Sequence, residues 1–382
     1  MNAHTIYVHL PFCKSRCIYC DFTSNVVSPL PVHEVTQQVV SELQIRRQVL
    51  QIMSQPVAIY VGGGTPSLWP ADKVAQIIAE CVNGESPSAI EITVELNPGD
   101  VDRHWIKSVI KAGVNRFSLG VQGMTDSRLK WLGRRHSVAD AQRAVHVLRD
   151  AGAHNISADF IYATPNQTEA DMRHELDDLC AMGPDHISAY ELTIAEGTPL
   201  AKMKLPGIDH DTRASLWQQV GAHLAQQGFE RYEVSNYAKD NKRSRHNSHY
   251  WRGGMYLGVG SGAHGFIINN GNRIRYSNGA TLQTWLAADI RTDDIEHNPF
   301  IGDGFAETLS NLDFARELVM LGLRSTEGIN ASQLNSLLKD NYTFMGQITQ
   351  LENEGWVQLQ NNRYVPSPDA MQLADELALR FF

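Results

Sequence analysis

The chain has few cysteines for its size, five in 382 residues. An odd, sparse set argues against a disulfide-stapled secreted fold. It has no apolar run approaching the roughly 18 residues of a membrane-spanning helix. It also lacks an excess of positive charge: 33 Lys and Arg against 42 Asp and Glu leave a net charge of −9. That balance disfavours nucleic acid as a partner. One basic run, Lys239 to Arg245, interrupts it and reads as a solvated loop. A strand-like segment begins by Thr5, so no leader peptide is expected, and reduced thiols without a leader point to a cytoplasmic protein. The 42% hydrophobic and 20% charged content describes a globular chain, long enough for more than one core.

The cysteines that are present are unevenly placed. Cys13, Cys17 and Cys20 form a C-x3-C-x2-C triad in one short loop, directly after the apolar stretch Ile6-Tyr7-Val8. Three thiolates suit three corners of a cubane iron–sulfur cluster, whose irons each take a soft sulfur ligand. A closed electron-transfer cluster takes four, so a triad leaves one iron open to another ligand. A structural zinc site would draw a fourth Cys or His from nearby. The next cysteines, Cys81 and Cys180, stand alone in helix-like patterns.

Short β-branched runs alternate with longer amphipathic stretches through the first half. The pattern predicts strands over Ile6–His9, Ala58–Val61, Ile90–Glu95, Arg116–Gly120, Ile156–Phe160 and His186–Leu192, with helices between them. Repeated βα units call for a parallel sheet. The expected fold is α/β, an incomplete barrel of six βα units; periodicity leaves a doubly wound open sheet as the alternative. Polar residues cluster just beyond the strands: the cysteine loop, Gly62-Gly63-Gly64-Thr65-Pro66, Glu95-Leu96-Asn97-Pro98, Gln122 and Asp159. In parallel α/β folds these strand ends share one rim, where active sites are assembled. The core is expected over residues 1–230 and a connecting segment carrying His246-Asn247-Ser248-His249-Tyr250-Trp251 over 231–303. A C-terminal α+β domain over 304–382 follows, with three helices and a hairpin turning at Asn361-Asn362, a winged-helix-like element. With no basic recognition helix, that domain reads as structural or protein-binding.

An open cubane iron can be chelated by the amino and carboxylate groups of S-adenosylmethionine. The glycine run lets a cofactor approach backbone N–H and C=O groups closely. Glu95 and Asp159 can accept hydrogen bonds from ribose hydroxyls or an ammonium, Arg134 can pair with a carboxylate, and Gln122 offers a donor and an acceptor. Taken singly, each reads as readily as a strand-end cap or surface ion pair.

Over essentially its full length the chain resembles radical S-adenosylmethionine proteins of the branch containing oxygen-independent coproporphyrinogen III oxidase. The resemblance rests on Tyr7-Val8-His9-Leu10-Pro11-Phe12-Cys13, the cysteine loop, the glycine run, Glu95–Pro98, Gly120–Gln122, Leu132–His136, Asp159–Tyr162 and Tyr256–Gly265. It implies that Cys13, Cys17 and Cys20 ligate a 4Fe–4S cluster. It also implies that Tyr7, Gly63, Gly64, Thr65, Glu95, Gln122, Arg134 and Asp159 contact S-adenosylmethionine. Phe22 stands where the oxidase has a further cysteine, and the oxidase's N-terminal extension has no counterpart ahead of the cluster loop. Ala163-Thr164-Pro165 replaces the Gly-Leu-Pro common among relatives.

The His246–Trp251 run is similar to the H-N-x-x-Y-W signature of the HemW-type heme chaperones. That similarity implies a heme-binding protein that hands heme to a respiratory acceptor in transient contact at the membrane, and dimerisation linked to the cluster. His246 ranks first as heme ligand, ahead of His249 and His264, with Tyr250 and Trp251 able to cover a porphyrin face. The alternatives are the oxidase itself, decarboxylating the propionates of coproporphyrinogen III, and another radical enzyme acting on a tetrapyrrole.

Overall fold

The computed structural model describes residues 3–52, 54–84, 87–203, 205, 208–290, 299–338 and 341–382. Six βα units come first: β1 (His4–Leu10), α1 (Val32–Val49), β2 (Ala58–Gly63), α2 (Ala71–Val82), β3 (Glu91–Leu96), α3 (Arg103–Lys111), β4 (Arg116–Gln122), α4 (Asp126–Trp131), α5 (Val138–Asp150), β5 (Ile156–Tyr162), α6 (Glu169–Ala181), β6 (His186–Glu191) and α7 (His210–Gln226). These strands lie side by side in chain order and pair in parallel from β1 to β6. A doubly wound sheet reverses its order at a switch point. Here the order never reverses, and right-handed crossovers then carry the helices to one face. The fold is the expected incomplete barrel; the sheet does not close.

Alternation along the strands separates two environments. Ile6, Val8, Ile59, Val61, Ile92, Val94, Phe117, Leu119, Ile156, Ala158 and Phe160 are fully buried in the main core. The intervening residues on the other face are polar: Tyr7, Tyr60, Glu95, Arg116, Ser118, Asp159 and Ser188. Helices start where short polar caps dictate. Ser137 with Asp140 and Thr168 with Asp171 form capping boxes at α5 and α6.

Beyond residue 230 the chain adds β7 (Glu230–Arg231), β8 (Asn236–Ala238), α8 (Arg245–Trp251), β9 (Met255–Val259), β10 (His264–Asn269), β11 (Asn272–Ser277), α9 (Leu282–Ala287) and β12 (Phe305–Leu309). The segment expected to connect two domains thus contributes β8 to β11 to the same sheet; its residues 291–298 lie outside the described ones. The glycine-rich Tyr256–Gly265 run holds β9, which pairs in parallel with the outer side of β1. The remainder comprises α10 (Asn311–Gly322), β13 (Ile329–Asn330), α11 (Ala331–Leu338), α12 (Tyr342–Asn353), β14 (Val357–Gln360), β15 (Arg363–Pro366), α13 (Pro368–Gln372) and α14 (Ala374–Leu379). It has its own apolar core, built on Phe314, Leu318, Leu334, Phe344, Ile348 and Leu377. The β14–β15 hairpin turns at Asn361 and Asn362, whose φ of 46° and 62° suit a type I′ turn.

Ala163, in place of glycine after β5, has φ of 56°, in the left-handed region. A Cβ there is disfavoured by about 1 kcal/mol or more, while glycine costs the unfolded chain some entropy in return. Ala163→Gly is therefore expected to raise stability by about 0.5 kcal/mol in denaturant melts. A lower midpoint would contradict the account of this turn.

Candidate cofactor site

The cysteine loop leaves β1 and is closed at its base by Asn25, whose N–H donates to Pro11 (2.7 Å) and whose carbonyl accepts from Cys13 (3.0 Å). The far side of the loop is tied down by Leu200 N–H to the Ile18 carbonyl (2.9 Å). All three thiols are half-buried and free. Among the described residues, no three His, Cys, Asp or Glu side chains converge as ligands of a single ion would. The thiols instead border one cavity of about 560 Å³ at the C-terminal ends of the strands. Soft sulfur donors of this kind suit an iron–sulfur cluster.

Two side chains reach the thiols from outside the loop, Thr65 just beyond β2 and Arg134 between α4 and α5. Thr65 Oγ1 lies 3.8 Å from Cys13 Sγ. Arg134 Nη1 donates to Cys17 Sγ at 3.4 Å while its Nη2 donates to the Gly120 carbonyl at 2.8 Å. Arg134 Nε is buried with no partner, leaving a donor for an arriving acceptor. The glycine run forms the adjoining cradle. A Cβ on Gly63 would stand 2.3 Å from the His9 ring and one on Gly64 2.4 Å from the Phe12 carbonyl, and Gly63 has φ of +101°. No other residue fits there without moving the start of the cysteine loop.

Glu95 projects into the same cavity. Its carboxylate accepts from Tyr60 Oη (2.8 Å) and from Gly63 N–H (3.0 Å). Burial pushes its pKa up to about 7, against the Tyr60 hydrogen bond, which favours the charged form. Asp159 is likewise raised by burial, and Ser118 Oγ donates to it at 3.3 Å. Gln122 lines the cavity with φ of 69°, at the β-bulge where the β4–β5 register shifts. Of the cysteine and S-adenosylmethionine residues anticipated from sequence, all but Tyr7 border this cavity, whereas the heme-site candidates His246, His249, Tyr250, Trp251 and His264 do not. Tyr7 instead bonds His9 Nδ1 at 2.8 Å.

His246 lies on α8, which packs against the polar face of the sheet. Glu91 pins that helix: its Oε1 accepts from the N–H of Arg245 (2.9 Å) and of His246 (3.3 Å). The His246 ring sits 5.2 Å from the Tyr60 ring and 6.2 Å from that of Tyr7. Its Nδ1 is buried with no partner. Burial first, then the fields of His249 and Arg116, lowers its pKa to about 3, so the imidazole is neutral at physiological pH. Asn247 borders the cofactor cavity, and His246 borders an adjoining one of about 390 Å³ with Tyr190, Glu233, Asn236, Tyr250 and Trp251. His249 is engaged with the Met255 carbonyl (3.0 Å), and His264 stands exposed beside Phe305.

Sequence reasoning missed Tyr60, Arg116, Ser118, Ser188 and Glu91. All lie inside or at the start of strands, at the alternate positions that face the barrel interior. A polar residue every second position in a parallel strand, where both faces are ordinarily apolar, was the available signal.

The fold and this cavity define a radical SAM protein. The description "Radical SAM superfamily" matches residues 7–179, and "HemN C-terminal domain" matches residues 309–373. Among solved structures, coproporphyrinogen III oxidase (HemN) from Escherichia coli superposes with a TM-score of 0.78 at 18% identity. That match covers 100% of this chain and 90% of that one, and carries the fold alone. Among sequences, the heme chaperone HemW of Haemophilus influenzae is 30% identical over 97% of this chain and 94% of its own length. That of Synechocystis is 35% identical over 87% and 80%. The mitochondrial radical S-adenosyl methionine domain-containing protein 1 of Danio rerio is 34% identical over 85% and 73%. The chain belongs to the HemW family of the radical SAM superfamily.

Proposed function

We propose that this protein is a cytoplasmic heme chaperone that binds heme at His246 and hands it to a respiratory acceptor. In this reading Cys13, Cys17 and Cys20 hold a 4Fe–4S cluster, with Arg134 and Thr65 steadying two of the sulfurs. Gly63, Gly64, Thr65, Glu95, Gln122, Arg134 and Asp159 receive S-adenosylmethionine, with Tyr7 behind them. A cluster held by these cysteines would supply an open iron and one electron. Residues 1–230, 231–303 and 304–382 serve as core, heme-handling segment and partner-facing domain, and the working form is a dimer linked to the cluster.

The observation that carries this reading is the state of His246. Its imidazole is neutral, its Nδ1 has no partner, and it is held by Glu91 beneath the cofactor cavity. A buried polar atom left unbonded is costly unless a ligand completes it. Tyr60 links the two regions, since its hydroxyl bonds Glu95 while its ring packs on His246. Phe22, where the oxidase has a further cysteine, is 58% exposed at the cavity mouth and holds no sulfur there.

Heme titration of the anaerobically reconstituted protein tests the assignment. His246→Ala is expected to weaken heme binding by about tenfold or more, and His264→Ala to leave it unchanged. Equal affinity of wild type and His246→Ala would remove His246 as ligand.

A further inference from the structure

Arg116 is 2% exposed, on the polar face of β4, and lines the cofactor cavity. Other buried arginines of this chain are paired: Arg46 with Glu42 at 2.7 Å, and Arg128 with Glu175. The Arg116 guanidinium makes no hydrogen bond or ion pair among the described residues, and its Nε is buried without a partner. Isolating a guanidinium in this way costs several kcal/mol unless an anion completes it.

The two buried carboxylates that share its cavity and feel its charge through space are hydrogen-bonded to other groups. Glu95 accepts from Tyr60 and Gly63, and Asp159 from Ser118. Neither closes an ion pair with the guanidinium.

Its place along β4 narrows which ligand. Gly120, whose carbonyl holds Arg134 against Cys17, is four residues further on, about 13 Å at the rise of a parallel strand. A carboxylate chelating an iron at the cysteine loop would lie well above Arg116. Sideways, Arg116 is in register with Thr93, Thr93 with Tyr60, and Tyr60 with Tyr7. That row is the floor on which His246 packs, and the charge of Arg116 is felt at His246. Tyr190 and Asn247 border both the cofactor cavity and the one beside His246, so the two adjoin.

We propose that Arg116 binds a carboxylate arm of the tetrapyrrole held at His246, through the two-toothed pairing that guanidinium and carboxylate favour. The proposal rests on the heme reading of His246. It assigns a propionate-type anion to the barrel interior, separate from the carboxylate of S-adenosylmethionine.

The test uses the reconstituted full chain, heme, heme with both propionates esterified, and S-adenosylmethionine. Wild type is expected to bind heme about tenfold or more tightly than the diester. Arg116→Gln is expected to bind both alike, with a smaller change in affinity for S-adenosylmethionine than for heme, and Arg116→Lys to retain part of the preference. Ligand-free Arg116→Gln is expected to melt at or above the wild-type temperature, because an unpartnered cation has been removed. Survival of the preference in Arg116→Gln overturns the proposal. So does a loss confined to S-adenosylmethionine, or a clearly lower melt. If wild type binds neither porphyrin, the heme reading itself has failed and the carboxylate assignment falls with it.

Discussion

Cys17→Ser is expected to abolish the iron–sulfur chromophore of the reconstituted protein while leaving the fold intact. A serine oxygen is a harder and far less acidic donor than a thiolate, poorly matched to iron in a sulfur-bridged cluster. Cys17 has the guanidinium of Arg134 3.4 Å from its sulfur, so the same substitution also alters one of the two contacts that hold that arginine, the other being the Gly120 carbonyl. The thiols are only half-buried, which limits the packing lost. The melting midpoint of the cluster-free variant should therefore stay close to wild type. Cys81 supplies the control. It is buried within α2, its pKa is pushed up to about 12 by desolvation, and it lies far from the loop in the chain. Cys81→Ala should keep the full visible spectrum. An iron–sulfur spectrum surviving in Cys17→Ser would contradict the ligand assignment.

The loop was legible because its chemistry is local: three thiols, a glycine run and several strand-end polar residues can each be read from a few neighbouring positions. The six βα units were legible for the same reason, since hydrophobic period and glycine punctuation are short-range signals. What escaped depends on pairings across the chain. Met255–Val259 becomes a strand because β1 offers it an unpaired edge, and nothing within its own glycine-rich run announces that. Arg245–Trp251 forms a helix held by Glu91, a carboxylate on a strand far earlier in the chain. Tyr60 and Arg116 looked like ordinary strand residues until the register brought them into one row with Thr93. Sequence placed the cofactor residues on one rim and His246 in a distant segment; only the fold sets α8 against the floor of the same barrel.

Glu42→Ala is expected to cost about 3–5 kcal/mol in stability, the range for breaking a buried ion pair by removing one partner. Glu42 on α1 is fully buried and accepts four hydrogen bonds: from Arg46 Nε (2.8 Å), Asn278 Nδ2 (2.7 Å), Gly260 N–H (3.0 Å) and Trp285 Nε1 (3.1 Å). Arg46, also fully buried, donates in turn to Asn278 Oδ1 at 2.9 Å and to the Pro299 carbonyl. The variant leaves that guanidinium facing an apolar methyl group and strips partners from three further donors. The network also reaches the site. A Cβ at Gly260 would come within 2.3 Å of the His9 carbonyl, so the turn held by Glu42 abuts the end of β1 from which the cysteine loop departs. Equilibrium denaturation should show the loss, and cluster retention should fall with it. A loss below about 1 kcal/mol would mean that the network contributes no more than an exposed pair.

Under the proposed function, this radical SAM barrel handles heme and does not oxidise a porphyrinogen. The direct measurement offers coproporphyrinogen III and heme in parallel to the anaerobically reconstituted protein, with S-adenosylmethionine and a low-potential reductant present. The account predicts stable heme binding that depends on His246, with no protoporphyrinogen formed. Robust decarboxylation of coproporphyrinogen III without retained heme would contradict it.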